Sequence, residues 1–277
     1  MIERNGSVEL FFWNPRTVRL GSLFGRHVEV GPRKSNFGDL LGPMIVRRLV
    51  KKEGLGAGGS PAMLLTVGSV LHFGRPEAHV WGTGRNGKVE SEPVPGMYIH
   101  ALRGPLTARY LSSRYTTLPD TYGDPGLLVP YLFPEFTRPE SPSRKIGVLA
   151  NLNDKREPGD TFSVIEPTAP VDQVVRAILD CEYLVTSSLH GLIIAESFGV
   201  PVRHMRSDHE PRFKYEDYFE GTGRRMPPSA HNPMHALDLG PQDPVTFDPE
   251  PLLAAFPRHL WSRTASSKSN SKRGAAA

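Results

Sequence analysis

The residues best suited to chemistry in this sequence are polar groups at the ends of apolar runs: Asn36, Asp39, Arg103, Asp124, Ser188 and His190. The stretch 182–202 carries the last two. Its run Tyr183-Leu184-Val185-Thr186 predicts a short buried strand, which Ser187-Ser188 breaks. Residues 189–198 then predict a helix, stopped by Gly199 and Pro201. His190 therefore falls in the first turn of a helix, where backbone amides lack intrahelical partners and the helix dipole presents positive potential. Such a place holds an anion. Ser188 can cap the helix or donate to that anion, and Gly191 removes a side chain where a ligand would approach. Taken alone, the stretch reads equally well as a Ser-capped core helix with an ordinary histidine.

The other candidates have bland readings beside the chemical ones. Arg103 offers a planar fork for carboxylate or phosphate, and a surface arginine bridging to an acid explains it as well. Asp39 at a helix start is most simply an N-cap. Asn36, and Asp124 before its proline, read equally as residues that simply shape their turns. Lys214 is a second candidate cation, with a solvated lysine as the commoner fate of its type. No Walker A stretch, G-x-S-x-G elbow or H-E-x-x-H occurs, and Gly82-Thr83-Gly84 is read as too short a pattern for a dinucleotide fingerprint. For a metal, His204 and His209 lack a third ligand, and the single Cys181 excludes a cysteine cluster and an internal disulfide. Cys181 reads as a small buried residue in a reducing compartment.

The elements that must position these groups follow from patterning. Strands are expected at 8–13, 63–67, 79–81, 97–102, 146–150, 162–165, 183–186 and 200–202. A helix is expected from about 40 to 51, with Leu41, Met44, Ile45 and Leu49 on one face and Pro43 fixing its start near 39–42. Further helices are expected over 105–112, from 168 or 170 through 179, and over 252–261 across a domain surface. In the second of these, Val171, Val174, Val175, Ile178 and Leu179 share one stripe. Residues 134–143 read as a linker. Strand–helix alternation on both sides of it predicts an α/β protein of two Rossmann-like domains with parallel sheets, 1–138 and 139–261, followed by a disordered tail over 262–277.

At 277 residues the chain can bury a sizeable core. Its 38% hydrophobic and 22% charged content is that of a globular rather than a disordered chain. No apolar run is long enough to span a bilayer, and residues 1–13 are charged where a signal peptide needs its apolar core, so no export signal is expected. The formal charge of +4 suits phosphorylated substrates or an anionic membrane surface. No basic–aromatic alternation argues for nucleic acid.

Taken in order, several short motifs resemble the polysaccharide pyruvyl transferase family. They are Asn36-Phe37-Gly38-Asp39, Trp81-Gly82-Thr83-Gly84, Leu102-Arg103-Gly104-Pro105-Leu106-Thr107, Gly123-Asp124-Pro125, Ser187-Ser188-Leu189-His190-Gly191 and Lys214-Tyr215-Glu216-Asp217-Tyr218. They spread over roughly residues 8–222. Ser188 stands where many relatives carry Arg, a form similar to the exopolysaccharide branch, and one cation is thereby missing.

The resemblance implies a fold arranged as in GT-B glycosyltransferases, with an acceptor side in the first domain and a donor side in the second. It implies transfer of an enolpyruvyl unit from phosphoenolpyruvate, a co-substrate, to two sugar hydroxyls as a pyruvate ketal, with no other cofactor and no metal. On that reading His190, with an unperturbed pKa near ~6.5, protonates the donor's methylene carbon and Asp39 takes a hydroxyl proton. Arg103, Ser188, Gly191 and Lys214 hold the donor. Asn36, Gly38, Gly68 and Thr83 hold the acceptor. The expected partners are phosphoenolpyruvate and a saccharide, free, polymeric or lipid-linked, with no nucleic acid and at most peripheral membrane contact. The expected place is the cytoplasm, at the inner membrane face for a lipid-linked acceptor. Two other functions fit the same residues: a glycosyltransferase using a nucleotide sugar, and a non-catalytic saccharide-binding protein.

Overall fold

A computed structural model describes residues 2–14, 16–23, 26–33, 36–56, 59, 61–154 and 161–263. The chain is a mixed α/β protein with two mainly parallel sheets. Strand β1 (Ile2–Asn5) turns at Gly6 into β2 (Val8–Phe11), and the two pair antiparallel. Val8 and Leu10 are buried in the main core and Glu9 and Phe11 lie on the opposite face, where Phe11 packs against Phe73 at 4.7 Å. After a separate hairpin of β3 (Arg16–Leu23) and β4 (Arg26–Arg33) comes helix α1 (Phe37–Lys52). The short β5 (Leu55–Gly56) leads to β6 (Ala62–Leu65), β7 (His79–Trp81) and β8 (Tyr98–Ala101). These three extend the first sheet in parallel, in the order β1-β2-β6-β7-β8.

Helices α2 (Pro105–Leu111) and α3 (Val129–Leu132) precede the second sheet. That sheet holds β9 (Arg144–Leu149), β10 (Ser163–Val164), β11 (Cys181–Thr186) and β12 (Val202–His204), all parallel, in the order β10-β9-β11-β12. Helix α4 (Val171–Leu179) presents its predicted stripe to the core, with Val174, Val175, Ile178 and Leu179 buried. Helix α5 (Leu189–Ser197) has no outer face: every residue from Leu189 to Glu196 is buried. Its one acid is satisfied, for Glu196 accepts from Tyr218, Arg224 and Gln242 at 2.5–2.7 Å. Then follow α6 (Phe213–Gly221), α7 (Pro233–Leu239), α8 (Pro249–Ala254) and β13 (Ser262–Arg263).

One apolar core joins the two sheets. It includes Leu10 and Leu64 from the first, Leu149 and Leu184 from the second, and Phe37, Leu41, Leu192 and Ile193 from the helices between them. Helix α1 packs on α3, α4, α5 and the turn Pro125–Leu128. The chain then returns to the first sheet: Trp81 Nε1 donates to Leu252 O at 2.9 Å, Phe256 packs edge-on to Trp81, and β13 pairs with β5. Cys181 opens β11 as a buried residue; burial pushes its thiol up to about 11.

Several expectations need correction. Helix α1 begins at Phe37, not near residue 40, because Asn36 caps it: the Asn36 backbone is extended and its side chain accepts from the Gly38 amide at 3.4 Å. Asp39 is therefore not the cap. Pro43 lies inside the helix rather than in its first turn, where it removes the N–H that would bond the Asp39 carbonyl. The strand expected at 200–202 begins at Val202 and runs on to His204. The helix expected over 252–261 starts and ends earlier, as α8, and Pro257 separates it from a single turn, Arg258–Leu260. Ser262 and Arg263 pair with β5, so the expected tail starts no earlier than 264, and 264–277 lies outside the described residues. Among the described residues no helix is long and apolar enough to cross a membrane.

Candidate functional site

The starts of α1 and α5 open into one cleft of about 380 Å³, within the size range of small-molecule sites. Asn36 and Asp39 enter it from α1, and Ser188, Leu189 and His190 from α5. Ser69 and Val70, beyond β6, form another wall with Lys88, while Glu210 and Lys214 close it from before and within α6. The strand-end residues of both sheets therefore meet, as they do in open α/β sheets where ligands bind.

Ser188 caps α5, its Oγ accepting from the Gly191 amide at 3.2 Å. The hydroxyl proton is left for a ligand. His190 lies against α1. A Cβ on Gly38 would stand 2.1 Å from His190 Nδ1, so only glycine allows this approach. His190 Nε2 points toward Asp124 Oδ2, 3.9 Å away, and neither atom has a hydrogen-bond partner. Two unpartnered buried polar atoms face to face are costly in a resting protein and typical of a reactive centre. Burial, with Lys214 and Arg103 nearby, holds His190 down to about 3. It is thus a neutral imidazole, not the near-neutral acid expected from its type. Burial raises Asp124 to about 6 against the pull of the Gly126 amide and Arg103.

Asp39 is the second perturbed group. Its carboxylate accepts from Asn36 Nδ2 at 2.8 Å. Burial lifts it to about 7, although Asn36 and Lys214 favour its charge. A Cβ on Gly68 (φ +99°) would lie 3.6 Å from Asp39 Oδ1 and 3.9 Å from His190 Cε1, so these two groups share one space.

Lys214 is buried, contrary to the solvated reading. Its Nζ donates to Glu210 Oε2 at 2.9 Å, and Lys88 Nζ reaches Glu210 Oε1 at 2.5 Å. Two cations share one acid and leave a positive excess in the cleft. Burial depresses Lys214, while Glu210 supports its charge. Neither Lys88 nor Glu210 was singled out from sequence, yet a signal existed. Residues 82–88 spell Gly-Thr-Gly-Arg-Asn-Gly-Lys, a longer pattern than Gly82-Thr83-Gly84. It is G-x-G-x-x-G and almost a P-loop, with Val89 where a P-loop needs Ser or Thr. No helix follows it, so neither nucleotide motif is formed.

Five predicted ligand-contacting residues do not line the cleft. Gly38 and Gly68 are buried beside it, where their missing side chains make room for His190 and Asp39. Arg103 is fully buried behind Ser69: Nε donates to Asp217 Oδ2 at 3.0 Å, and the remaining nitrogens to Ser69 Oγ and Arg85 O at 2.7 Å. It bridges to an acid, but in the core. Thr83 is also buried, donating to Gly68 O at 2.8 Å and accepting from Val70 N at 3.2 Å, which fixes the Gly68–Val70 turn. The missing Cβ of Gly191 would meet Leu149 and Thr186 at 2.7 Å, so that glycine serves packing rather than ligand approach. His204 and His209 do not join a metal-ligand group among the described residues.

The cleft thus joins two helix starts, the buried Lys214, the exposed Lys88 and perturbed acid–base groups, an arrangement whose chemistry suits a small anion. Residues 98–209 match the family model of the polysaccharide pyruvyl transferases. Arg103, Asp124, Ser188 and His190 all lie in that segment, and the match supports the family that the ordered motifs resemble. The chain is 29% identical over 153 residues to an uncharacterized protein of Acanthamoeba polyphaga mimivirus, covering 51% of this chain and 52% of that one. It thus spans about half the length of the curated relative it matches. A crystal structure of a functionally uncharacterized protein from Klebsiella pneumoniae subsp. pneumoniae NTUH-K2044 is similar at a TM-score of 0.44 and 11% identity, over 67% of this chain and 84% of that one.

Proposed function

We propose that this protein transfers an enolpyruvyl unit from phosphoenolpyruvate to two hydroxyls of a saccharide, forming a pyruvate ketal. The observation that carries the reading is the convergence of the α5 start, Lys214, Lys88, His190 and the protonatable Asp39 in one cleft, with Asp124 buried behind the unpartnered Nε2 of His190. Phosphoenolpyruvate carries a phosphate and a carboxylate. Lys214, Lys88, Ser188 and the first amides of α5 suit those groups. In this reading the two lysines replace the cation that Ser188 omits, and Arg103 acts from behind through Ser69.

The acid and base roles are best exchanged relative to the sequence expectation. Asp39, near 7, still holds a proton at neutral pH and gives it to the methylene carbon. His190, neutral, accepts a proton from the attacking hydroxyl. The first sugar oxygen bonds to C2 of the donor. The C2–O bond to phosphate then breaks and the second hydroxyl adds. One hydroxyl proton offsets that given to the methylene carbon, the other leaves on phosphate, and none is consumed overall. Bound donor raises the proton affinity of His190, and Asp124 stabilises the imidazolium that results. The proposal includes a GT-B-like arrangement, with 1–138 on the acceptor side and 139–261 on the donor side. The acceptor meets Asn36, while Gly38 and Gly68 leave room for His190 and Asp39 to approach it, at the cytoplasmic membrane face if lipid-linked.

The test is phosphate release from phosphoenolpyruvate over a panel of galactosides, glucosides and mannosides, read beside product mass. Phosphate matched by a ketal mass gain on one sugar is expected. Release of a nucleotide from a nucleotide sugar, without phosphoenolpyruvate consumption, would replace the proposal with glycosyl transfer. Saccharide binding with neither reaction would favour the non-catalytic function.

A further inference from the structure

Outside the cleft, three histidines far apart in sequence come together. His79 lies on β7, His100 on the edge strand β8, and His259 on the turn Arg258–Leu260 that follows α8. The rings of His79 and His100 stack in parallel, 5.1 Å apart and 3° from coplanar orientation. The His259 ring lies 5.3 Å from one and 5.8 Å from the other, inclined by about 55° to both. One ring nitrogen of each falls within 4.8 Å of the other two. None of the three lines the cleft.

We propose that His79, His100 and His259 form a binding site for a late first-row divalent cation such as Zn²⁺, which fastens the C-terminal turn to the first sheet. Imidazole nitrogen suits this class of metal. Three ligands with Zn–N bonds of ~2.0–2.1 Å in tetrahedral directions place their nitrogens ~3.3 Å apart. The trio needs small side-chain rotations to reach that spacing. His79 Nδ1 and His100 Nε2, now 2.8 Å apart and sharing a proton, separate by about half an ångström as the cation takes that proton's place. The proton moves to the other nitrogen of its own ring, so none is lost.

The surroundings favour a cation. The neighbouring Arg258 is turned away and neutralised by Glu53, with contacts of 2.7 and 2.8 Å. His79 is buried, His100 half-buried and His259 exposed, which gives the ion an entry from solvent and a fourth position for water. The site draws on residues 21 and 159 positions apart, a separation no local motif announces.

The test is titration of the full chain, stripped by a chelator and dialysed, with Zn²⁺ against a chromophoric competitor. A Co²⁺ visible spectrum and thermal unfolding are recorded in parallel. One equivalent is expected to bind, with a tetrahedral Co²⁺ spectrum and a rise in Tm. His259→Ala, an exposed change that leaves the fold intact, should lose more affinity than the roughly 10–100-fold typical of an outer-shell partner. His100→Ala should do the same, whereas His235→Ala, in the stacked pair with His231, should leave binding unchanged. No stoichiometric binding by the wild type, or binding that survives His259→Ala, would overturn the site.

Discussion

The pair Arg103–Asp217 separates a structural from a ligand-binding role for the arginine that the sequence puts forward most strongly. Both side chains are fully buried, with Arg103 Nη2 2.9 Å from Asp217 Oδ2. The carboxylate also accepts from Thr107 N at 2.8 Å and Thr107 Oγ1 at 2.7 Å. It thereby ties α2 to α6, the helix that carries Lys214. Asp217→Asn keeps the shape but leaves the guanidinium charge without its partner, and Arg103→Met leaves the carboxylate uncompensated. Breaking a buried pair from one side costs about 3–5 kcal/mol. At about 2–4 °C per kcal/mol for domains of roughly this size, either variant should lower Tm by roughly 12 °C. In the double variant both charges are gone, and the remaining cost is that of imperfect hydrogen bonds to Thr107 and Arg85, about 1–3 kcal/mol. A double-mutant cycle by thermal unfolding should therefore show coupling of about 2 kcal/mol or more. Phosphoenolpyruvate kinetics on the same preparations complete the assay. An Arg103→Met protein with unchanged Tm and only a raised KM would refute this account and return Arg103 to the donor. Strict additivity would refute the coupling.

Asp39→Asn should lower phosphate release by about 10²–10⁴-fold, the usual worth of a positioned acid. The same variant tests linkage. Because the folded-state pKa of Asp39 lies above its unfolded value, the native state binds the extra proton between about 4 and 7, and stability falls as pH rises through that window. At about 1.4 kcal/mol per unit, Asp39→Asn should be the more stable protein at pH 8 by up to about 4 kcal/mol and should show little advantage at pH 4; equal Tm differences at both would remove the burial explanation. Lys214→Met should raise the KM for phosphoenolpyruvate more than tenfold, roughly the ~1.5–3 kcal/mol of a hydrogen bond to a charged group; an unchanged KM would assign donor binding to Lys88 alone. Gly38→Ala drives a methyl into the His190 ring, so activity should fall sharply with a stability loss of about 1–3 kcal/mol, and full activity would show that the ring is free to move aside.

Much of the architecture was legible because it rests on local rules. The amphipathic stripe of α4, the β-branched run of β11 and the Gly-Pro stop after α5 each specify their element without help from distant residues. The Ser188 cap and the entry of His190 into a helix start followed from the same short stretch. The start of α1 was misjudged because the proline rule outweighed the Asn36 cap, and a buried helix whose other contacts compensate tolerates Pro43 in its interior.

The types of the candidate residues, their order along the chain and the family they resemble belong to the sequence itself. Their protonation and their company do not. His190 is neutral because it is buried and Asp39, half-buried, is protonatable because the walls of the cleft desolvate it, and both follow from the packed sheets rather than from neighbours in sequence. Arg103 sits behind the cleft and Lys214 within it because Asp217, on the same helix face as Lys214, claims the guanidinium. The three-histidine cluster exists only because the C-terminal turn comes back to the edge of the first sheet. Charge states and ligand sets depend on distances of a few ångströms, and only the tertiary structure fixes these between residues remote along the chain.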